Sequence, residues 1–456
     1  MPCNSLFPNF TARDQAKYLN DHMPAGLFRG VGVEDNAVAW RLSPEPFALA
    51  PATLARIEAL GTTLLRFYRA LNDLYLRSAR GTAPAFVAQY LDLGKPEQIV
   101  KLARQNRFKN DVPPIIRPDL ILTEDGMIAS ELDSLPGGMG FVAAMAQTYC
   151  QLGFETIGET DGMPQAFTAA LAAACGREKP SVGIVVAEES KDYRAELSFL
   201  ASRINELGAC SAYVLAPSDI VFTEEALFAR LPDGREEKLD LIYRNFELFD
   251  LFNVPKWELM VYAARHNRVK MTPPPKAHLE EKLSFALLHH PALAAWWSEA
   301  LGDDFETLKH LFPQTWVLDA RPLPPQASIT GLTAGGLPVN DFMQLAGLSK
   351  TERDWVLKPS GFSELAWGSR GVRVANDLSR EAWTEALRSA LEAFEQAPHV
   401  VQRFHKGRRV QVSYYDPKTD DVKRLDGRVR LCPYYFVIGE TTVSYTHLTL
   451  PTILRV

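Results

Sequence analysis

Apolar residues recur at helical spacing through Leu54, Ile57, Leu60, Leu64, Leu65, Tyr68, Leu71 and Tyr75, which predicts one long helix over 51–79. A second helical pattern covers about 84–106. Alternation then takes over. Leu120–Ile121–Leu122 and Met127–Ile128–Ala129 predict two strands around a turn at Glu124–Asp125–Gly126, and a helix is expected from about 140 to 151. The run EKPSVGIVVAEES (178–190) reads as a buried strand, and YRAELSFLASRINELG (193–208) as an amphipathic helix closed by Gly208. SAYVLAP (211–217) and KLDLIYRNFE (238–247) read as further strands. Strand–helix–strand order implies a parallel α/β unit. The proline run MTPPPKAH (271–278) marks a linker or a sharp crossing, and a helix that includes Lys282 begins near Leu279. RPLPPQ (321–326) and TAGGLP (333–338) read as loop, and 353–442 is strand-rich around one helix at 380–396.

Composition narrows the class. The 456 residues are 46% hydrophobic and 23% charged with a net charge of −6, which fits a soluble multidomain protein and no general nucleic-acid or membrane surface. The most apolar stretch, FALLHHPALAAWW, is too short and interrupted to span a bilayer, and the start MPCNSLFPNFTARDQ lacks a signal pattern. Five scattered cysteines without a CxxC pair argue against a zinc site or a disulfide framework. A reducing, cytoplasmic setting is expected. No GxGxxG follows the first parallel strand, and VAEESKDY puts acids where a pyrophosphate would need close backbone approach. The layer is therefore Rossmann-like without the dinucleotide fingerprint.

The hairpin region RPDLILTEDGMIASELD (117–133) carries the first candidate chemistry. A two-residue loop would set Leu120 opposite Glu131. A three-residue loop with Gly126 in a bulge sets Asp119 opposite Glu131 and Arg117 opposite Asp133. The second register is preferred because it places Asp119, Glu131 and Asp133 on one face and Leu120, Leu122 and Ile128 on the other. Like charges across a ladder repel, so Arg117 and a hard, oxygen-seeking cation such as magnesium would have to offset them. A solvated hairpin with acids on its wet side is the other reading, and both are open at this point.

WVLKPSGFSELAWGSRGVRV (355–374) has the plan strand, loop, strand. Lys358 falls on the face opposite Trp355 and Leu357. The Ser- and Gly-containing loop can fold over phosphates with its backbone N–H groups, although it lacks the Walker spacing. HVVQRFHKGRRV (399–410) is a strand that ends in a turn. An edge-strand lysine beside an ordinary loop is the simpler alternative.

Together these segments resemble a circularly permuted ATP-grasp protein of the kind related to glutathionylspermidine synthetase. VLKPSGFSELAWGSRGV resembles the lysine-plus-mobile-loop motif, HVVQRF the strand running into the adenine hinge, and RPDLILTEDGMIASELD the metal-binding strand pair. The metal pair precedes the lysine strand, which is the permutation. EEKLSFALL (280–288) resembles the helix carrying the first ATP lysine, here Lys282, and LDLIYRNFELFDL matches the layer between them. The resemblance implies an α/β fold. Its parts are an N-terminal helical region (1–110), a metal-binding hairpin part (111–175), a Rossmann-like pre-ATP-grasp domain (176–275) and ATP-grasp lobes (276–442). The stretch VSYTHLTLPT (443–452) resembles the translation of a sequencing adaptor. Residues 443–456 are therefore expected outside the fold, with the natural chain continuing differently past 442.

The resemblance also implies a chemistry: an ATP-dependent carboxylate–amine ligase that forms ADP through an acyl phosphate. Lys282 and Lys358 would neutralise phosphates, with Ser360, Gly361, Ser369 and Gly371 of the loop and Gln402 at the adenine completing the nucleotide site. Asp119, Glu131 and Asp133 would hold Mg2+. The chain has Glu131-x-Asp133 where the family commonly has E-x-N; aspartate also offers an oxygen ligand. Arg117 would brace the acids or meet the transferring phosphate. Arg430, sharing a strand face with Arg428, would bind phosphate or substrate carboxylate, or form a solvated basic edge. His289, His290 and the tryptophans at 296–297 are expected to pack, and Cys432 to lie in the core. The implied partners are a small carboxylate and an amine (an amino acid, peptide or polyamine), with no nucleic acid or membrane. A nucleotide-binding protein without ligase turnover is the alternative.

Overall fold

The structure, a computed structural model, describes residues 3, 5–24, 26, 27, 42–416 and 418–445. The long helix runs over Pro51–Ala79, as the periodicity predicts. The second helical stretch splits into Ala85–Asp92 and Glu97–Ala103. Gly94 takes a positive φ of 70° between them, and Pro96 follows as the N-cap of the second helix. A side chain at 94 would also strike the Gln396 carbonyl, so the break is a packing feature as well as a turn.

Three sheets carry the fold. In the first, the strand Ile115–Leu122 pairs antiparallel with Met127–Asp133. Near its start it pairs with Tyr434–Ile438, and further along with Arg430–Leu431. Thr441–Tyr445 closes that edge against Tyr434–Ile438. The second sheet is antiparallel, in the order Thr315–Val317, His399–Arg403, Trp355–Pro359, Arg373–Val374. The third is parallel, in the order Ser211–Leu215, Ser181–Val186, Leu241–Asn245, Lys270–Thr272, and it is the Rossmann-like layer expected from the strand–helix–strand pattern.

The helix Gly162–Cys175 and the three-stranded insertion 220–238 have no counterpart in the expected elements. The helix is almost wholly Ala and other apolar residues, so it lacks the polar face that makes a surface helix readable. The proline run is a buried crossing: Lys276 through Leu279 are buried, and Thr272–Pro273 is a cis peptide bond.

One apolar cluster joins the long N-terminal helix (Leu64, Leu71) to the hairpin (Leu120, Leu122) and to the helices that follow Lys282 (Leu283, Leu287, Trp297). The N-terminal helices therefore share the core of the later lobes. His289 and Trp297 serve packing: one meets the Phe312 carbonyl and the other donates to the Leu287 carbonyl.

Two expectations are corrected. Cys3 and Cys150 form a disulfide that ties the start of the chain to the helix Met139–Gln151, where the scattered cysteines lead one to expect a reducing setting. Val443 and Ser444 belong to the last strand at half-buried positions, so the fold does not stop at 442. Residues 446–456 lie outside the described residues. Among the described residues no helix is long and apolar enough to cross a membrane.

Candidate functional site

The hairpin adopts the preferred register, with Arg117 opposite Asp133 and Asp119 opposite Glu131. It arrives there by another route. Leu122 pairs with Met127 across a four-residue turn, in which the Thr123 N–H donates to the Gly126 carbonyl. The register then shifts between Asp119 and Leu120, leaving Ser130 as the extra residue of a bulge. The bulge turns Glu131 and Asp133 onto the face of Asp119.

Two cations from distant parts of the chain, and Arg117 of the hairpin itself, meet these acids. Lys282, at the start of the helix Leu283–His289, pairs with Glu131 at 2.7 Å. Arg430 reaches Asp119 at 2.7 Å, and the Cys432 thiol donates to the same carboxylate at 3.2 Å. Cys432 is thus buried, as expected, but against the site. Arg117 pairs with Asp133 at 2.6 Å and donates to the Gly137 carbonyl at 2.7 Å, with its guanidinium over the Tyr434 ring. Lys358 donates to the Ser130 carbonyl at 2.6 Å and to the Gln402 amide oxygen at 2.9 Å. The lysine strand therefore docks on the bulge of the hairpin despite more than two hundred intervening residues.

The protonation balance follows from these contacts. Burial pushes the Glu131 carboxyl up, but Lys282 and Lys358 together hold it below the usual range. Burial works against the Lys282 ammonium, yet Glu131 raises it overall. Lys358 has no such ion pair, and burial brings it down to about 8. Burial also raises Asp133, with Arg117 opposing.

A cavity of about 350 Å³ opens beside the acids. Arg117, Asp119, Glu131, Asp133, Lys282 and Arg430 line one side. The Rossmann-like layer supplies Ser190, Tyr193, Asn245 and Glu247, and Gly361, Ser363 and Ala366 of the loop complete the lining. Glu247 and Glu280 were missed by sequence reasoning. Burial, with Glu280 nearby, pushes the Glu247 carboxyl up to about 8. Glu280 is itself held by Arg244. A signal was available: Asn245 ends a parallel strand and Ser190 follows another, and open α/β sheets bind ligands beyond the carboxyl ends of their strands.

Several expected nucleotide contacts differ. Ser360 is fully buried and its hydroxyl donates to Glu281 at 2.5 Å, so it is spent within the protein. The Gly361 N–H donates to the same carboxylate at 3.1 Å, and the Gly371 N–H to the Leu365 carbonyl at 2.8 Å. Gln402 is buried, with its amide between Lys358 and Thr315 and not turned to an open adenine pocket. The side chain of Ser369 lies outside the described residues. The lining of the cavity includes neither Lys358 nor Gln402.

The fit to magnesium is mixed. Three carboxylates are the hard oxygen donors that the ion takes. As they stand, Asp119, Glu131 and Asp133 are turned to Arg430, Lys282 and Arg117. Among the described residues no group of three or more His, Cys, Asp or Glu side chains is arranged to hold a metal. The trio shares a face, as expected, but is neutralised by side-chain cations.

No family model matches this sequence, and no curated protein sequence matches it. Among solved structures the chain is similar to a glutathione synthetase-like effector, GSS30, from Globodera pallida in its apo form. That likeness has a TM-score of 0.56 at 12% identity, over 95% of this chain and 91% of that one. A protein assigned as a gamma-glutamylcysteine synthetase from Methylobacillus flagellatus KT aligns at a TM-score of 0.35 and 11% identity, over 81% of this chain and 85% of that one. The chain has a mixed α/β fold similar to that of the glutathione synthetase-like effector.

Proposed function

We propose that the protein is an ATP- and Mg2+-dependent ligase that joins a small carboxylate to an amine, releasing ADP by way of an acyl phosphate. One observation carries the reading. Lys282 and Arg430 from distant segments, and Arg117 of the hairpin itself, each pair with one of the hairpin's three carboxylates beside one cavity, and Lys358 docks on the neighbouring Ser130 carbonyl. Such an array of fixed charges suits phosphoryl transfer, where the protein mainly positions groups and neutralises charge.

In this reading Lys282 and Arg117 would exchange their carboxylates for phosphate oxygens, and Glu131 and Asp133 would then be free to hold magnesium. A bound Mg2+ would supply further neutralisation of phosphate charge. Arg430 braces Asp119 and presents its remaining N–H groups to a substrate carboxylate. Lys358 leaves Ser130 for the nucleotide as the lysine strand and hairpin separate. The loop 360–371 covers the cavity and keeps water from the activated acid. The amine enters from the Rossmann-like side, past Asn245 and Glu247.

The sealing of Lys358 against Ser130 and Gln402 favours a second reading, a nucleotide-binding protein without turnover, and the similar Globodera protein is itself an effector. ADP release, measured across pairs of amino acids, small peptides and polyamines, separates the two. Release only when both an acid and an amine are present supports the ligase. Tight Mg-ATP binding with no release on any pair supports the binding protein.

A further inference from the structure

Residues 280–282 hold three different parts of the molecule: Glu280 meets Arg244, Lys282 meets Glu131, and Glu281 lies between them. The Glu281 carboxylate is buried. One oxygen accepts from the Ser360 hydroxyl and the Gly361 N–H, at 2.5 and 3.1 Å. The other faces Lys95, whose side chain is equally enclosed. Lys95 belongs to the break between the helices Ala85–Asp92 and Glu97–Ala103, and its ammonium also lies 5.5 Å from the centre of the Phe362 ring. The same root is held elsewhere too. The Ser360 N–H donates to the Pro398 carbonyl, and the Phe362 N–H donates to the Ser360 hydroxyl. A Cβ at Gly361 would meet the Glu280 carbonyl at 1.8 Å, so the backbones are in direct contact there. Two residues on, Ser363 reaches the cavity.

We infer that Glu281 is a positioning residue. With Lys95 behind it, it clamps the root of the loop 360–371 and so sets how the loop lies over the cavity. Burying an ion pair costs desolvation free energy that its Coulomb attraction does not fully return. The pair is therefore a poor device for stability alone. It makes sense as a way to present a rigid acceptor to one hydroxyl and one backbone N–H, at the junction where a rigid strand gives way to the loop. Hydrogen bonds to a carboxylate are about twice as strong as neutral ones, so two of them hold this junction more firmly than a serine or amide acceptor would. The consequence for phosphates rests on the ligase reading above; the clamp itself does not.

The test is amide hydrogen exchange across 361–371 in the full chain, with and without Mg-ATP. Glu281→Gln with Lys95→Met removes both charges together, so no unpaired ion is left buried. Ser360→Ala removes one bond of the clamp and guards against a double variant that fails to fold. Exchange in the loop should rise about tenfold or more in the double variant and less in Ser360→Ala, while Trp355–Pro359 keeps its protection. The half-saturating ATP concentration should rise, and Glu281→Asp should recover part of the loss. Loop exchange at the wild-type rate in both variants overturns the clamp. A loop loosened by these substitutions but indifferent to Mg-ATP in the wild type upholds the clamp and counts against the nucleotide reading.

Discussion

Lys282 and Lys358 are the same side chain in two settings around one carboxylate, Glu131. Lys282 lies at the cavity with a carboxylate 2.7 Å away, and its ammonium is stabilised. Lys358 is sealed between a backbone carbonyl and an amide oxygen, and burial brings it down to about 8. A neutral acceptor satisfies the hydrogen bond but does not repay the desolvation of a charge; an anion does both. The difference assigns the two lysines different work. Lys282 is charged and ready to trade one anion for another. Lys358 gains from an arriving phosphate, because its present partners hold its charge poorly.

The largest expected effect comes from removing the anion that both lysines feel. Glu131→Gln should lower ADP formation by about 10³-fold, the scale of losing a preorganised electrostatic contact, while the circular dichroism spectrum stays unchanged. Turnover within threefold of wild type on the best substrate pair would sink the assignment. Next, Lys282→Met keeps the length of the side chain and removes its charge. Half-saturating ATP should rise between about ten- and a hundredfold, equivalent to about 1.4–2.7 kcal/mol, and Tm should fall as Glu131 loses its closest cation. An unchanged half-saturation would mean that Lys282 is only a structural partner.

The smallest effect is a pH dependence, and it isolates Lys358. Its folded pKa lies below its ordinary 10.5, so the ammonium is present below about pH 8 and lost above it. Mg-ATP affinity should therefore weaken by a few-fold as pH rises from 7 to 9, and Lys358→Met should flatten that limb. Stability from this group runs the other way. Between about 8 and 10.5 the unfolded chain holds the extra proton, so unfolding becomes less favourable as pH rises through that window. An affinity that is level from pH 7 to 9 in the wild type would show that Lys358 meets no phosphate.

Local pattern carried much of this. The long helix, the parallel layer and the lysine strand were legible because each depends on short-range periodicity. So was the sharing of a face by Asp119, Glu131 and Asp133, although the turn and the bulge that achieve it were not the ones expected. An extra residue at Ser130 leaves no mark in the alternation, since Ala129 and Glu131 suit either register. Ser360 looked like a phosphate ligand because a serine beside a glycine in a loop has the right chemistry; its partner Glu281 is 79 residues away. The Cys3–Cys150 disulfide, whose ends lie 147 positions apart, was equally out of reach of spacing arguments.

By itself the sequence determined which residues could bear the chemistry and which strand or helix would carry each one, because backbone geometry assigns side chains to faces within a few residues. Tertiary structure alone decided who meets whom. Strands near 115 and 436 pair in one sheet, and that pairing, with the docking of the lysine strand on Ser130, places Arg430 on Asp119 and Lys358 beside Glu131. It also decided how firmly each lysine holds its proton, since desolvation and the distance to a counter-ion are properties of the packed molecule and of no local segment.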